Sequence, residues 1–307
     1  MIIDAHTDVL WKMLQDPSIN FYQDDDRLAV NYPNMIKGGV DVQIFAIFVS
    51  SLKTSRFEYA LQSVDDFYQR VEMTDKLQLA TNYEQIISLL KQKKKVAILS
   101  IEGAEVIEGD LSKLRTFYRL GVRAMGLTWN QANEVADGVM EPRNGGLTQF
   151  GYEVVHEMNQ LGMLIDLSHL SEHGFWDVME ISRSPIMASH ANAKRIYPHP
   201  RNLNDEQIKA IIRSGGMIGI TFVSEFTAEK NEPDIDDLLR HIEHIAALGG
   251  INHIGLGSDF DGAEPVKGLE NASKIENLVE VLSQKYSSEQ VQKILGGNWL
   301  SYFKKIL

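Results

Sequence analysis

Short apolar runs rich in Val, Ile, Leu and Met recur along the chain, each followed by a longer stretch in which apolar residues return at helical spacing. Eight such runs stand at Met1–Ala5, Asp41–Val49, Lys95–Ile101, Val122–Leu127, Met163–Leu167, Pro185–Ala188, Met217–Thr221 and His253–Gly257. Near-continuous apolar runs mark buried parallel strands, and their alternation with helices is the pattern of βα units. The intervening segments predict helices over Arg56–Leu79, Tyr83–Lys93, Asp110–Leu120, Thr148–Leu161, Ser171–Ser182, Asn204–Ser214 and Asp234–Leu248, with Ser287–Leu295 and Asn298–Ile306 closing the chain. Several begin at Asp, Asn, Ser or Thr, whose side chains cap free backbone N–H groups, and some stop near glycine, as at Gly162 and Gly215. Eight βα units predict an α/β fold of the (β/α)8 TIM-barrel type. No linker rich in Pro, Gly or Ser interrupts residues 1–307, so one domain is expected.

A parallel barrel builds its active site at the carboxyl ends of the strands, so the residues that follow each run carry the functional information. The first run ends in His6-Thr7-Asp8, the third in Glu102-Gly103, the fourth in Thr128-Trp129-Asn130, the fifth in Ser168-His169, the sixth in Ser189-His190 and the eighth in Ser258-Asp259-Phe260-Asp261. His6 and Asp8, two residues apart on an extended segment, face the same side and offer one metal ion two ligands. His169 and His190 supply imidazoles for a second ion, and Glu102 has two oxygens with which to bridge the pair. Asp259 stands where a carboxylate would orient or deprotonate an activated water. Any one of these residues alone is more simply a hydrogen-bonded rim residue. Together they would bury several charges at several kcal/mol each unless a cation joined them.

Composition narrows the chemistry further. The 307 residues include no cysteine, so disulfides, thiolate metal sites and thiol nucleophiles are excluded and any metal rests on imidazole and carboxylate. A net charge of −12 argues against a nucleic-acid partner. No run approaches the roughly 18 apolar residues of a membrane span, and the amino end lacks the form of a signal peptide, so no membrane partner and a cytoplasmic location are expected. His156, His173, His241, His244 and His253 lie within or beside predicted helices or at a strand start and read as structural; His199, two residues before Arg201, is open. Lys91 to Lys95 reads as a solvated helix end.

The ordered set His6-Thr7-Asp8, Ile101-Glu102-Gly103, Gly146-Leu147-Thr148, Asp166-Leu167-Ser168-His169, Ser189-His190, His199-Pro200-Arg201-Asn202 and Gly257-Ser258-Asp259-Phe260-Asp261-Gly262 resembles the renal or membrane dipeptidase family of amidohydrolase-type barrels, from residue 3 to about 300. The resemblance implies two Zn2+ per chain, hydrolysis of dipeptides, often with a D-residue tolerated at the second position, by a hydroxide between the metals, and commonly a homodimer. It implies that His6 and Asp8 hold one zinc, His169 and His190 the other, with Glu102 as the bridge, Asp259 as the proton-handling carboxylate and Arg201 as the grip on the substrate's free carboxylate. One position departs from the pattern. Where animal members carry a His that contacts the scissile carbonyl oxygen, this chain has Trp129, so that contact falls to zinc, to the Trp129 indole N–H or to Asn130 as candidate substrate-binding groups. The nearest alternative is another metal hydrolase of this barrel type, acting on N-acyl amino acids, cyclic amides or lactones. Most such relatives place a carboxylated Lys after the fourth strand, and Leu127 is followed here by Thr128-Trp129-Asn130-Gln131.

Overall fold

A computed structural model of the chain describes residues 1–50, 53–73 and 75–307. Its strands are β1 (Ile2–Asp4), β2 (Val40–Phe48), β3 (Leu77–Leu79), β4 (Lys95–Glu102), β5 (Val122–Gly126), β6 (Leu164–Asp166), β7 (Met187–Ala188), β8 (Met217–Ile220) and β9 (Ile254–Leu256). Parallel pairing runs β2-β1-β9-β8-β7-β6-β5-β4, and β2 pairs back onto β4 from Val42 to Phe48, which closes eight strands into a barrel. All eight predicted strands are present, and helices cover the outside as a (β/α)8 barrel requires.

β3 is an addition. It pairs with the lower half of β4, Leu77 beside Lys95 and Leu79 beside Ala97, while β5 takes the upper half. The helix predicted over Arg56–Leu79 therefore ends early: Arg56–Asp66 is α-helical, Phe67–Val71 forms one wider turn, and the chain extends by Leu77, with residue 74 outside the described residues. Helices at Val9–Gln15, Tyr32–Lys37 and Ile275–Lys285 fall where the sequence pattern predicts none. The lysine run also divides differently. The helix ends at Lys91, and Lys95 opens β4 as a nearly buried side chain with its ammonium 3.0 Å from Asp41.

Residue parity along the strands explains which side chains reach the barrel mouth. Val96 and Ile98 join the interior cluster with Ile3, Val42, Ile44, Ala124, Leu164, Met187 and Met217, whereas Ala97, Leu99 and Ile101 pack outward against the helices. Continuing the interior row by twos leads through Ser100 to Glu102. Register then sets Phe48, Glu102, Gly126 and Asp166 side by side at one level. The opposite end is plugged by the helix Asn298–Ile306, whose buried Trp299 donates its indole N–H to Leu256 O at 3.0 Å.

His241 illustrates the histidines that belong to the scaffold. It is fully buried; Nδ1 accepts the Ala193 N–H at 3.0 Å, so the ring proton sits on Nε2, 2.8 Å from Thr227 O. Burial pulls its pKa down to about 4 from an ordinary value near 6.5. As pH falls the unfolded chain takes up this proton first. The stability carried by the neutral ring is thus present above about pH 6.5 and lost as pH drops towards about 4, a difference of about 3 kcal/mol at ~1.4 kcal/mol per pKa unit. Urea unfolding at neutral pH and at about pH 4.5 should show a smaller acid-induced loss for His241→Gln than for the wild type; equal losses would contradict the assignment.

Candidate metal centre

The first and last barrel strands are joined above their ends. Thr7 bridges to Phe260, the Asp8 N–H donates to Phe260 O at 2.9 Å and the Asp259 N–H to His6 O at 3.3 Å. β1 itself stops at Asp4, but this continued pairing keeps residues 6–8 against the β9 loop and turns both His6 and Asp8 into the mouth. The β9 loop needs an unusual backbone to do its part: Asp259 and Asp261 hold φ of 64° and 70°, a left-handed conformation that Asp tolerates better than most residues. Asp259 then faces the centre while Asp261 turns away to accept the Ala29 and Val30 N–H groups at 2.8 and 3.0 Å. Gly262 follows so closely that a Cβ would collide with Asp8 Oδ2 and come within 2.6 Å of Asp259 Oδ1.

Three imidazoles and three carboxylates converge. His6 Nε2 lies 3.5 Å from Asp8 Oδ2, 3.5 Å from Glu102 Oε2 and 3.8 Å from Asp259 Oδ1. The other oxygen of Glu102 faces the other histidines, with Oε1 at 2.8 Å from His169 Nε2 and 3.7 Å from His190 Nε2. His169 and His190 point Nε2 at one another across 2.8 Å. His6 with Asp8 and Glu102, Glu102 with His169 and His190, and His6 with His190 and Asp259 form three overlapping donor groups, each with ligand atoms within 4.8 Å of one another. All six residues are buried, and His6 Nε2 has no hydrogen-bond partner. A buried ring nitrogen without a partner, surrounded by carboxylates, fits a cation better than it fits protein alone.

The buried groups shift one another in opposite directions. Burial disfavours a charged His6, yet Glu102 and then Asp8 hold its pKa well above the usual value. Glu102 stays below the carboxylate range despite burial because His6 and His169 flank it. Burial raises Asp259 well above that range, with Asp8 and Glu102 adding to the shift, and burial followed by Glu102 raises Asp8. Burial and then Arg201 pull His169 down to about 4, and burial pushes His190 down as well. Such mutual opposition is relieved when divalent cations replace the missing protons.

Supporting residues include several that carry no role in the sequence analysis. Asp166 accepts from Ser168 N and Oγ, from Ser189 N at 2.9 Å and from Ser189 Oγ; Ser189 Oγ in turn contacts His190 Nδ1 at 2.8 Å. A carboxylate inside the apolar run Met163–Leu167 was the available signal for Asp166. His199 is settled as a brace: Nδ1 accepts the Arg201 N–H at 3.3 Å, and its ring stacks on Phe226.

A pocket of about 390 Å3 opens on the centre, walled by Trp11, Phe48, Trp129 and Phe226 and reaching Asp8, Glu102, His169 and Asp259. Trp129 packs on Phe48 with ring centroids 5.3 Å apart. Asn130 also borders the pocket, but its side-chain oxygen is committed to His169 Nδ1 at 2.8 Å. Arg201 is not on that wall. It is 2% exposed and lies behind the histidines, with Nη1 on Ser168 O, Nη2 3.1 Å from His169 Nε2 and 3.3 Å from His190 O, and Nε unpaired.

A parallel barrel with a carboxylate-bridged histidine cluster at its strand ends belongs to the class of metal-centre barrel hydrolases. Within that class the chain belongs to the membrane dipeptidase family, Peptidase family M19, whose family model matches residues 1–306. It is 32% identical over 293 residues to an uncharacterized dipeptidase of Schizosaccharomyces pombe, covering 88% of this chain and 70% of that one. Among solved structures it resembles dipeptidase AC, a metallopeptidase of family M19, with 29% identity, a TM-score of 0.94 and coverage of 99% and 98% of the two chains. A metallopeptidase from Rhodobacter sphaeroides, solved with a phosphinate mimic of the dipeptide L-Ala-D-Ala, matches at 27% identity and a TM-score of 0.94 over 100% of this chain and 99% of that one. No helix among the described residues is long and apolar enough to cross a membrane.

Proposed function

We propose that this chain is a two-zinc dipeptidase acting on L,L- and L,D-dipeptides. The observation that carries this is Glu102, whose two oxygens face two different sets of donors, His6 with Asp8 on one side and His169 with His190 on the other. The phosphinate dipeptide mimic in the Rhodobacter sphaeroides relative supports the substrate class, including a D-residue in second position.

His6 and Asp8 would hold one zinc, His169 and His190 the second, and Glu102 both. When bound, the pair supplies a nucleophile at neutral pH and polarises the substrate carbonyl. Asp259 lies on the same side as His6, 3.8 Å from its Nε2, where its carboxylate would accept the proton of the attacking water and pass it to the leaving amine. Trp11, Phe48, Trp129 and Phe226 exclude water and bound the substrate's side chains. The pocket's limited volume favours two residues over a long peptide. A single-domain, cytoplasmic homodimer is part of the same proposal, and light scattering tests the dimer.

Arg201 is the buried cation behind this cluster, off the pocket wall, and to grip the substrate's carboxylate its guanidinium would have to leave Ser168 O and turn past His169 into the pocket. Arg201→Ala should lower kcat/KM by about 10- to 100-fold for dipeptides, mostly through KM, as expected for losing a hydrogen bond between charged groups. Dipeptide amides, which lack the carboxylate, should be poor substrates for the wild type and equally poor for the variant. An unchanged KM for dipeptides in Arg201→Ala would remove the clamp.

A panel of L,L- and L,D-dipeptides, N-acyl amino acids, cyclic amides and lactones tests the function itself. Release of free amino acids from dipeptides, abolished by EDTA and restored by zinc, is expected; turnover confined to the other classes would replace the dipeptidase with the alternative hydrolase.

A further inference from the structure

We infer that Asn130 is a positioning residue for the metal centre: its side-chain oxygen holds the His169 ring with the proton on Nδ1, leaving Nε2 bare towards Glu102 and His190. The inference rests on the proposed metal centre and assigns Asn130 a different task from substrate binding. A histidine can give Nε2 to a metal only if its remaining proton sits on Nδ1, and that N–H then needs an acceptor. His169 Nδ1 has Asn130 Oδ1 at 2.8 Å.

His190 solves the same problem by another route. Ser189 Oγ gives its single proton to Asp166, so it meets His190 Nδ1 only as an acceptor, at 2.8 Å. The Asp166 carboxylate thus stands behind His190 through a hydroxyl, whereas the neutral amide of Asn130 stands directly behind His169. A carboxylate at position 130 would add a further negative charge beside Asp8, Glu102 and Asp259; an amide fixes the ring without it.

Four contacts hold the loop that carries Asn130 still enough for this work. The Asn130 carbonyl accepts the Met140 N–H at 2.9 Å. Gly138 packs so tightly on the Trp129 and Asn130 backbone that a Cβ there would collide with it. The same loop is tied to the histidine it serves, since His169 O accepts the Val139 N–H at 2.7 Å and the Thr128 hydroxyl at 3.1 Å. Ring and acceptor are therefore mounted on one rigid unit, as precise ligand placement requires.

Zinc affinity, measured by chelator competition on the full chain, separates this role from a contact with substrate. Asn130→Ala should weaken one of the two zinc ions by about 10- to 100-fold and leave the other unchanged. Asn130→Asp, which keeps the acceptor, should recover affinity to within a few-fold of the wild type, and kcat of Asn130→Ala should recover as zinc is raised. If Asn130→Ala bound both ions as tightly as the wild type and only its KM rose, Asn130 would be a substrate contact and the inference would be wrong. If the wild type itself bound no zinc, the metal-centre function would fail first, and the inference with it.

Discussion

Glu102→Ala is expected to abolish dipeptide hydrolysis, with kcat/KM falling at least about 10³-fold, equivalent to ~4 kcal/mol of transition-state stabilisation. Among the described residues Glu102 is the one side chain whose two oxygens reach both donor sets, at 3.5 Å from His6 and 2.8 Å from His169. In the proposed two-metal centre its removal would take a ligand from each ion at once, whereas loss of any other candidate ligand would take one. Truncation also leaves His6 and His169 without the carboxylate that flanks them, so re-forming the pair with water alone is unfavourable. Thermal unfolding gives an independent check. A metal that binds only the folded chain stabilises it by about 4 kcal/mol when its free concentration is ~1,000-fold above Kd, so added zinc should raise the wild-type midpoint and hardly move that of Glu102→Ala. A variant that kept both ions and its activity would refute the bridging role.

Asp259→Asn is expected to lower kcat by about 10²- to 10⁴-fold while both metals stay bound, the range for losing a general acid–base group. The exchange is close to isosteric, and Asn tolerates the left-handed backbone that Asp259 holds at φ 64°. The tight passage of Gly262 beside Asp8 and Asp259 is thereby preserved, so the loss would be chemical and not structural. Metal content decides between two roles, because Asp259 also belongs to a donor group with His6 and His190. Retained metal with low kcat identifies a proton-handling carboxylate; lost metal identifies a ligand; full activity with full metal excludes both.

The barrel was legible because its strands are buried on both faces and stand out as apolar runs of the right length, most of them separated by segments with helical spacing. Leu77–Leu79 escaped that pattern because the preceding helical signal from Arg56 ran over it and Gln78 interrupts its apolar run. The convergence of the candidate metal ligands was legible for a different reason. Polar residues placed immediately after apolar strands must lie at one end of the barrel, and His6, Asp8, Glu102, His169, His190 and Asp259 do meet there. The supporting contacts were not, since they depend on which atom of a side chain meets which neighbour. Asn130 stood in the right loop, but only the 2.8 Å contact with His169 Nδ1 shows what its oxygen does. Arg201 shows the converse: its segment matched the family pattern, yet its position behind the histidines follows from the loop that His199 braces.

Stepwise zinc titration of the metal-free chain, with dipeptide hydrolysis followed at each addition, tests the central claim most directly. Two ions across one carboxylate predict that activity rises to its full value as zinc reaches two per chain and that Glu102→Ala never reaches it. Full activity at one zinc per chain, or hydrolysis that persists with no metal bound, would contradict the two-metal centre.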